Sequence, residues 1–117
     1  MTETVTIYHN PRCSKSRATL ELLRTRGMRP EIVQYLDTPP DAATLDRLLH
    51  LLGQEPRALM RRQEAEYRAA GLEDPSLTRA QLIAAMVQYP QLIERPIVVC
   101  GDKAAIGRPP EKVLEIL

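Results

Sequence analysis

Short apolar runs alternate along this chain with longer stretches in which apolar residues return every third or fourth position. Val5-Thr6-Ile7-Tyr8 is compact and rich in β-branched and aromatic residues, and predicts a strand. From Ser14 to Arg26 the apolar residues Ala18, Leu20, Leu22 and Leu23 spread over a broad arc. That arc predicts a helix lying on a sheet, closed by Gly27 at the first position beyond it. Glu31–Leu36 predicts a second strand. Strand, helix and strand at this spacing form a right-handed unit with the two strands parallel.

Asp37-Thr38-Pro39-Pro40 breaks the pattern, and a helical stretch follows. Asp41 is placed to cap a helix in which Leu45, Leu48, Leu49 and Leu52 recur at i, i+3, i+4 and i+7, ending at Gly53. Pro56 fits the first position of a second helix that carries Leu59, Met60, Arg61 and Arg62 and closes at Gly71. Thr78-Arg79-Ala80-Gln81 is a capping box that opens a further helix with Leu82, Ile83, Met86 and Val87 buried. Arg95–Cys100 then predicts a third strand, turned by Gly101-Asp102 into a fourth, Lys103–Ile106. A last helix is expected from Glu111 to Leu117, with Val113, Leu114 and Leu117 inward. The order is β-α-β, helical insert, β-β-α. We expect an α/β fold with a mixed sheet, one domain over 1–117, with the insert at about 41–93. Without the insert the order is that of thioredoxin, where a nucleophilic cysteine follows the first strand at the first helix's N-terminus.

Composition narrows the functions. A chain of 117 residues with 44% hydrophobic content can build a core, but only 3% is aromatic, so packing rests on aliphatic side chains. The net charge of +1 gives no reason to expect nucleic acid or an anionic membrane as partner. No apolar run approaches the roughly 20 residues of a membrane span. The start Met1-Thr2-Glu3-Thr4 has no basic-then-apolar signal pattern. Two cysteines in dissimilar surroundings do not make a disulfide framework. A reduced, cytoplasmic setting and a monomer are expected.

Cys13 stands where the first strand hands over to the first helix, within His9-Asn10-Pro11-Arg12-Cys13-Ser14-Lys15-Ser16-Arg17. The free N–H groups of a first helical turn and the helix dipole favour negative charge there. Arg12, Lys15 and Arg17 add positive charge. A thiolate is the nucleophilic form of cysteine, and these neighbours lower its cost. A buried structural cysteine is the alternative, opposed by the polar neighbours. Cys100, in the apolar run Ile97–Cys100, is expected to be a buried small hydrophobe. No His/Cys/Asp/Glu cluster suggests a metal, and no glycine-rich phosphate loop is present.

The blocks His9–Arg17, Arg57-Ala58-Leu59-Met60-Arg61, Glu94-Arg95-Pro96-Ile97-Val98-Val99 and Gly107-Arg108-Pro109-Pro110 resemble the glutaredoxin-dependent arsenate reductase family, from about Val5 to Leu117. Ser14-Lys15 stands where the best-characterised members carry Gly-Thr, so Cys-Ser-Lys-Ser resembles a sister branch of that family. The resemblance implies a thioredoxin-like fold with a helical insert. It implies Cys13 as nucleophile, Arg61, Arg95 and Arg108 as oxyanion ligands, and catalytic places for His9 and Ser16. It also implies arsenate as substrate, glutathione as co-substrate, glutaredoxin as partner and no bound cofactor. Arg62 competes with Arg61; the block selects Arg61, and a helical step of about 100° would let only one of the two point inward. The Arg95–Pro96 bond is expected to be cis, since such folds place a cis proline beside the active cysteine.

Some alternatives stand beside these assignments. The arginines could be solvated surface charges, His9 a plain turn residue, and Ser16 a first-turn residue that satisfies backbone donors. As an active group, the Ser16 hydroxyl would donate a hydrogen bond to the thiolate. Ser16 also occupies the second position of a Cys-x-x-Cys pair, so the helix carries no resolving thiol and the reductant must come from outside. Three functions fit. The leading one is arsenate reduction; the others are a general glutathione-linked thiol oxidoreductase without arsenate activity, and a redox-linked regulator that binds RNA polymerase.

Overall fold

The structure is a computed structural model that describes residues 4–117; Met1–Glu3, the beginning of the start without a signal-like pattern, lie outside the described residues. The chain forms two compact units. One comprises the chain up to Thr38 together with Arg95–Leu117, and the other is Pro39–Glu94.

The first unit is a four-stranded mixed sheet of β1 (Val5–His9), β2 (Glu31–Gln34), β3 (Ile97–Cys100) and β4 (Lys103–Ile106), in the order β2-β1-β3-β4. β1 and β2 are parallel, joined through helix α1 (Ser14–Thr25), while β1–β3 and β3–β4 are antiparallel. Ile7, Leu20, Leu23, Val98 and Val113 fill the core between sheet and helix. The buried face of α1 is Ser16, Thr19, Leu20 and Leu23, at i, i+3, i+4 and i+7. Ala18 is exposed, so the apolar arc expected from the sequence is displaced by two polar residues turned inward. β2 ends at Gln34, two residues early, because the amides of Asp37 and Thr38 both return to the Gln34 carbonyl, at 3.0 and 2.9 Å.

Cys100 is buried, and its register partner on β1 is Val5. That is the end of β1 farthest from Cys13, about 13 Å from His9 at roughly 3.3 Å per residue. A disulfide needs Cα atoms within about 7 Å. Neither cysteine is in a disulfide. The final segment, Pro110–Ile116, is a 3-10 helix and not an α-helix. With three residues per turn, Val113 and Ile116 share the inner side, and Leu117, expected inward, is exposed.

The second unit carries α2 (Ala42–Leu52), α3 (Ala65–Ala69) and α4 (Arg79–Gln88). Asp41 caps α2 through the Thr44 amide at 2.8 Å, and the Thr78–Gln81 capping box opens α4, both as the sequence leads one to expect. Arg79 of α4 pairs with Asp46 of α2 at 2.9 Å. The helix expected after Pro56 is instead interrupted. Pro56–Leu59 is a 3-10 turn, Met60 forms an antiparallel bridge with Ile93, and α3 begins only at Ala65. The Arg61 amide donates to the Leu92 carbonyl at 2.6 Å, and the Glu94 amide to the Leu59 carbonyl at 2.7 Å. Arg61 and Arg62 therefore lie on non-helical backbone, and the helical-step argument for choosing between them does not hold. No helix among the described residues is long and apolar enough to cross a membrane.

Candidate active site

Cys13 is the N-cap of α1, in extended backbone conformation. The turn before it is held by Asn10, a residue the sequence did not single out. The Asn10 carbonyl accepts from the Cys13 amide, and its side-chain oxygen accepts from the Arg12 amide, each at 3.0 Å. The Asn10 amide donates to Ser16 Oγ at 3.0 Å. An asparagine followed by proline is a turn-forming pair, and that was the available signal.

Ser16 is fully buried, and its hydroxyl is engaged with His9 Nδ1 at 2.6 Å as well as with Asn10. It reaches the sulfur through its main-chain N–H, beside that of Lys15. His9 is buried, and burial, followed by the charges of Arg24 and Arg17, lowers its pKa below the ordinary histidine value. It is therefore a neutral ring near pH 7, held by the serine; the two form a buried brace beneath the loop.

Two arginines of the same unit meet the sulfur. The Arg95 guanidinium hydrogen-bonds to it, and Arg108 Nη2 lies 3.8 Å away. Arg108 Nε also donates to the Arg95 carbonyl at 2.8 Å, tying the two arginine-bearing loops together. Partial burial raises the Cys13 pKa, but the N–H groups of Ser16 and Lys15 and the charged Arg95 outweigh it, and the thiol is held below its ordinary value. The thiolate is thus present at lower pH than in a free cysteine. Alkylation of Cys13 by iodoacetamide should reach half its maximal rate below the roughly 8.5 of an unperturbed thiol, while buried Cys100 reacts only on unfolding; a midpoint at or above the free value would remove the thiolate site.

The Arg95–Pro96 peptide is cis, as expected, and so is Arg108–Pro109, which was not anticipated. Gly107 connects these segments. Its amide donates to the Pro96 carbonyl at 3.0 Å. A Cβ there would strike the Thr19 side chain and lie 2.8 Å from Pro96 Cγ. Gly107→Ala should therefore cost about 1–3 kcal/mol by overpacking and weaken anion binding by displacing Arg108, as thermal unfolding and sulfate titration would report. Arg61 belongs to the second unit, where its guanidinium pairs with Glu64 and, at 3.9 Å, with Glu94. Arg57 of the same block is structural: it donates to the Leu72 and Asp74 carbonyls at 3.0 and 2.6 Å. Among the described residues no group of three or more His, Cys, Asp or Glu could hold a metal ion.

A strand–helix turn carrying Cys13 at the helix N-terminus, with guanidinium groups from the loops flanking β3 and β4 beside its sulfur, defines a thioredoxin-like protein. The ArsC family model matches residues 8–116, and the chain belongs to the ArsC family. It is 59% identical to the uncharacterized protein YfgD of Escherichia coli strain K12, covering 100% of this chain and 99% of the other. It is 46% identical to an arsenate reductase of Neisseria meningitidis, covering 97% of each chain. A solved structure of an arsenate reductase from Vibrio cholerae matches with a TM-score of 0.97 at 52% identity over 100% of both chains.

Proposed function

We propose that this protein reduces arsenate to arsenite, with Cys13 as nucleophile, glutathione as co-substrate and glutaredoxin as the partner that regenerates the thiol. The observation that carries this reading is the sulfur held between Arg95 and Arg108. Guanidinium groups offer planar forks matched to tetrahedral oxyanions and stay charged at every working pH. The named arsenate reductases at 46% identity and TM-score 0.97 support arsenate as that oxyanion. Arg61 joins as a third oxyanion ligand on resemblance alone. His9 and Ser16 act as positioning residues that hold the cysteine loop.

The chemistry balances in three steps. The Cys13 sulfur displaces a hydroxyl from As(V), which leaves as water, and a sulfur–arsenic bond forms. Glutathione displaces a second oxygen in the same way. The two sulfurs then join, each losing one electron to arsenic, and arsenite departs, leaving Cys13 in a mixed disulfide with glutathione. A glutaredoxin thiolate removes the glutathione by exchange and frees Cys13. No metal or bound cofactor enters the scheme. The protein works as a monomer in the reducing cytoplasm, where an external thiol is at hand.

The test is arsenite formation by purified protein with arsenate, glutathione and glutaredoxin, run beside a mixed-disulfide substrate. Turnover of arsenate supports the proposal; turnover of the disulfide alone would replace it with a general thiol oxidoreductase. Cys100→Ala should leave turnover with glutathione unchanged. Loss of turnover in a folded variant, with a trapped Cys13–Cys100 disulfide in the parent, would make the reductant internal.

A further inference from the structure

The sheet order β2-β1-β3-β4 puts the Cys13 loop, which leaves β1, between two different neighbours. On the β3 and β4 side lie Arg95 and Arg108, already committed to the sulfur. On the β2 side is a cavity of about 240 Å³. It is lined by His9 at the end of β1, Arg12 of the cysteine loop, Gln34 at the end of β2, and Leu36 and Asp37 beyond it. Arg12 and Asp37 are both exposed, and neither is ion-paired to the other or to any further group among the described residues. The turn that ends β2 early anchors the main chain of Asp37 beside the cavity through its own amide. An anion and a cation that line one small cavity without pairing form a receptor for a zwitterion.

We propose that this cavity seats the γ-glutamyl arm of glutathione, with Arg12 taking its α-carboxylate, Asp37 its α-ammonium and Gln34 hydrogen-bonding beside them. The proposal rests on the thiol chemistry given to Cys13 above and deepens it. At about 240 Å³ the cavity is smaller than the roughly 300–1,000 Å³ of sites that enclose a whole ligand. It therefore takes one arm and leaves the cysteinyl part of glutathione to reach along residues 9–12 toward Cys13. The two substrates then approach the sulfur from opposite sides of β1, oxyanion from β3–β4 and thiol from β2, without competing for the same arginines.

The test uses no arsenate. With oxidised glutathione, the Cys13 thiolate breaks the disulfide, forms a Cys13–glutathione disulfide and expels one glutathione thiolate. Its rate is measured in the parent, Asp37→Asn and Arg12→Gln, each divided by the rate of alkylation with iodoacetamide to remove changes in thiol reactivity. Each variant should slow the normalised reaction about tenfold, equivalent to about 1.4 kcal/mol. The reaction with bis(2-hydroxyethyl) disulfide, which has no γ-glutamyl arm, should keep its rate. S-methylglutathione, which cannot react, should slow the parent reaction and not the Asp37→Asn reaction. Unchanged normalised rates with oxidised glutathione, or equal slowing with both disulfides, would overturn the proposal. Failure of arsenate turnover in the parent would leave these rates readable and would count against the reductase assignment alone.

Discussion

Cys13→Ser is expected to abolish arsenite formation, by at least about 10⁴-fold, while the protein folds as before. Activity and stability separate here because the two depend on different atoms. The loop is held by the main chain of Cys13, whose amide donates to Asn10 and whose carbonyl accepts from Arg17, each at 3.0 Å. Its sulfur is engaged by the Ser16 and Lys15 amides, and a serine oxygen can accept from the same two groups. Serine retains both main-chain bonds and is a preferred N-cap residue, so the variant should be as stable as the parent or slightly more so. An alcohol at that position remains protonated near neutral pH and cannot form the sulfur–sulfur bond through which arsenic gains its electrons. Arsenite release and thermal unfolding, measured together, check this. Appreciable turnover in Cys13→Ser would dismiss the nucleophile.

Arg95→Ala and Arg108→Ala should each lower kcat/KM for arsenate by about 10²–10³, the usual cost of deleting one donor from an oxyanion site. Lysine should restore little at either position, because it lacks the planar fork. The double variant should lose less than the product of the single losses. Arg108 Nε holds the Arg95 carbonyl at 2.8 Å, so removing Arg108 also loosens Arg95. In both single variants the Cys13 alkylation profile should move toward higher pH, more strongly for Arg95, whose charge and hydrogen bond both stabilise the thiolate. Full activity in the double variant would exclude these arginines from oxyanion binding.

The sequence was most legible where local chemistry decides structure. β1, the cap at Asp41, the capping box at Thr78 and the hairpin at Gly101-Asp102 depend on neighbours a few residues apart, and they form as expected. Cys13 at a helix N-terminus follows from the same local logic. The misses come from long-range terms. The break at Met60–Glu64 is made by Ile93, more than thirty residues away, and the charged Arg61-Arg62-Gln63-Glu64 stretch has no apolar period to resist it. The terminal segment has only seven residues, too few for an α-helix to recover its nucleation cost, and packing Val113 with Ile116 selects the tighter winding. At the site, the polar inner face of α1 was hidden because Ser16 and Thr19 look like surface residues until their partners, His9 and the Lys15 carbonyl, are known.

The buried hydroxyl of Ser16 also decides whether a second thiol can be accommodated beside Cys13. Ser16→Cys is a single-atom replacement, oxygen by sulfur, and on paper it turns a one-thiol enzyme into a dithiol one. The oxygen, fully buried in the first turn of α1, is already engaged by the Asn10 amide and the His9 ring. A larger, weakly accepting sulfur would leave that amide unsatisfied, at about 1–3 kcal/mol, in the turn that presents Cys13. A second thiol at this position would therefore disturb the turn that presents Cys13 before it could act as its resolving partner.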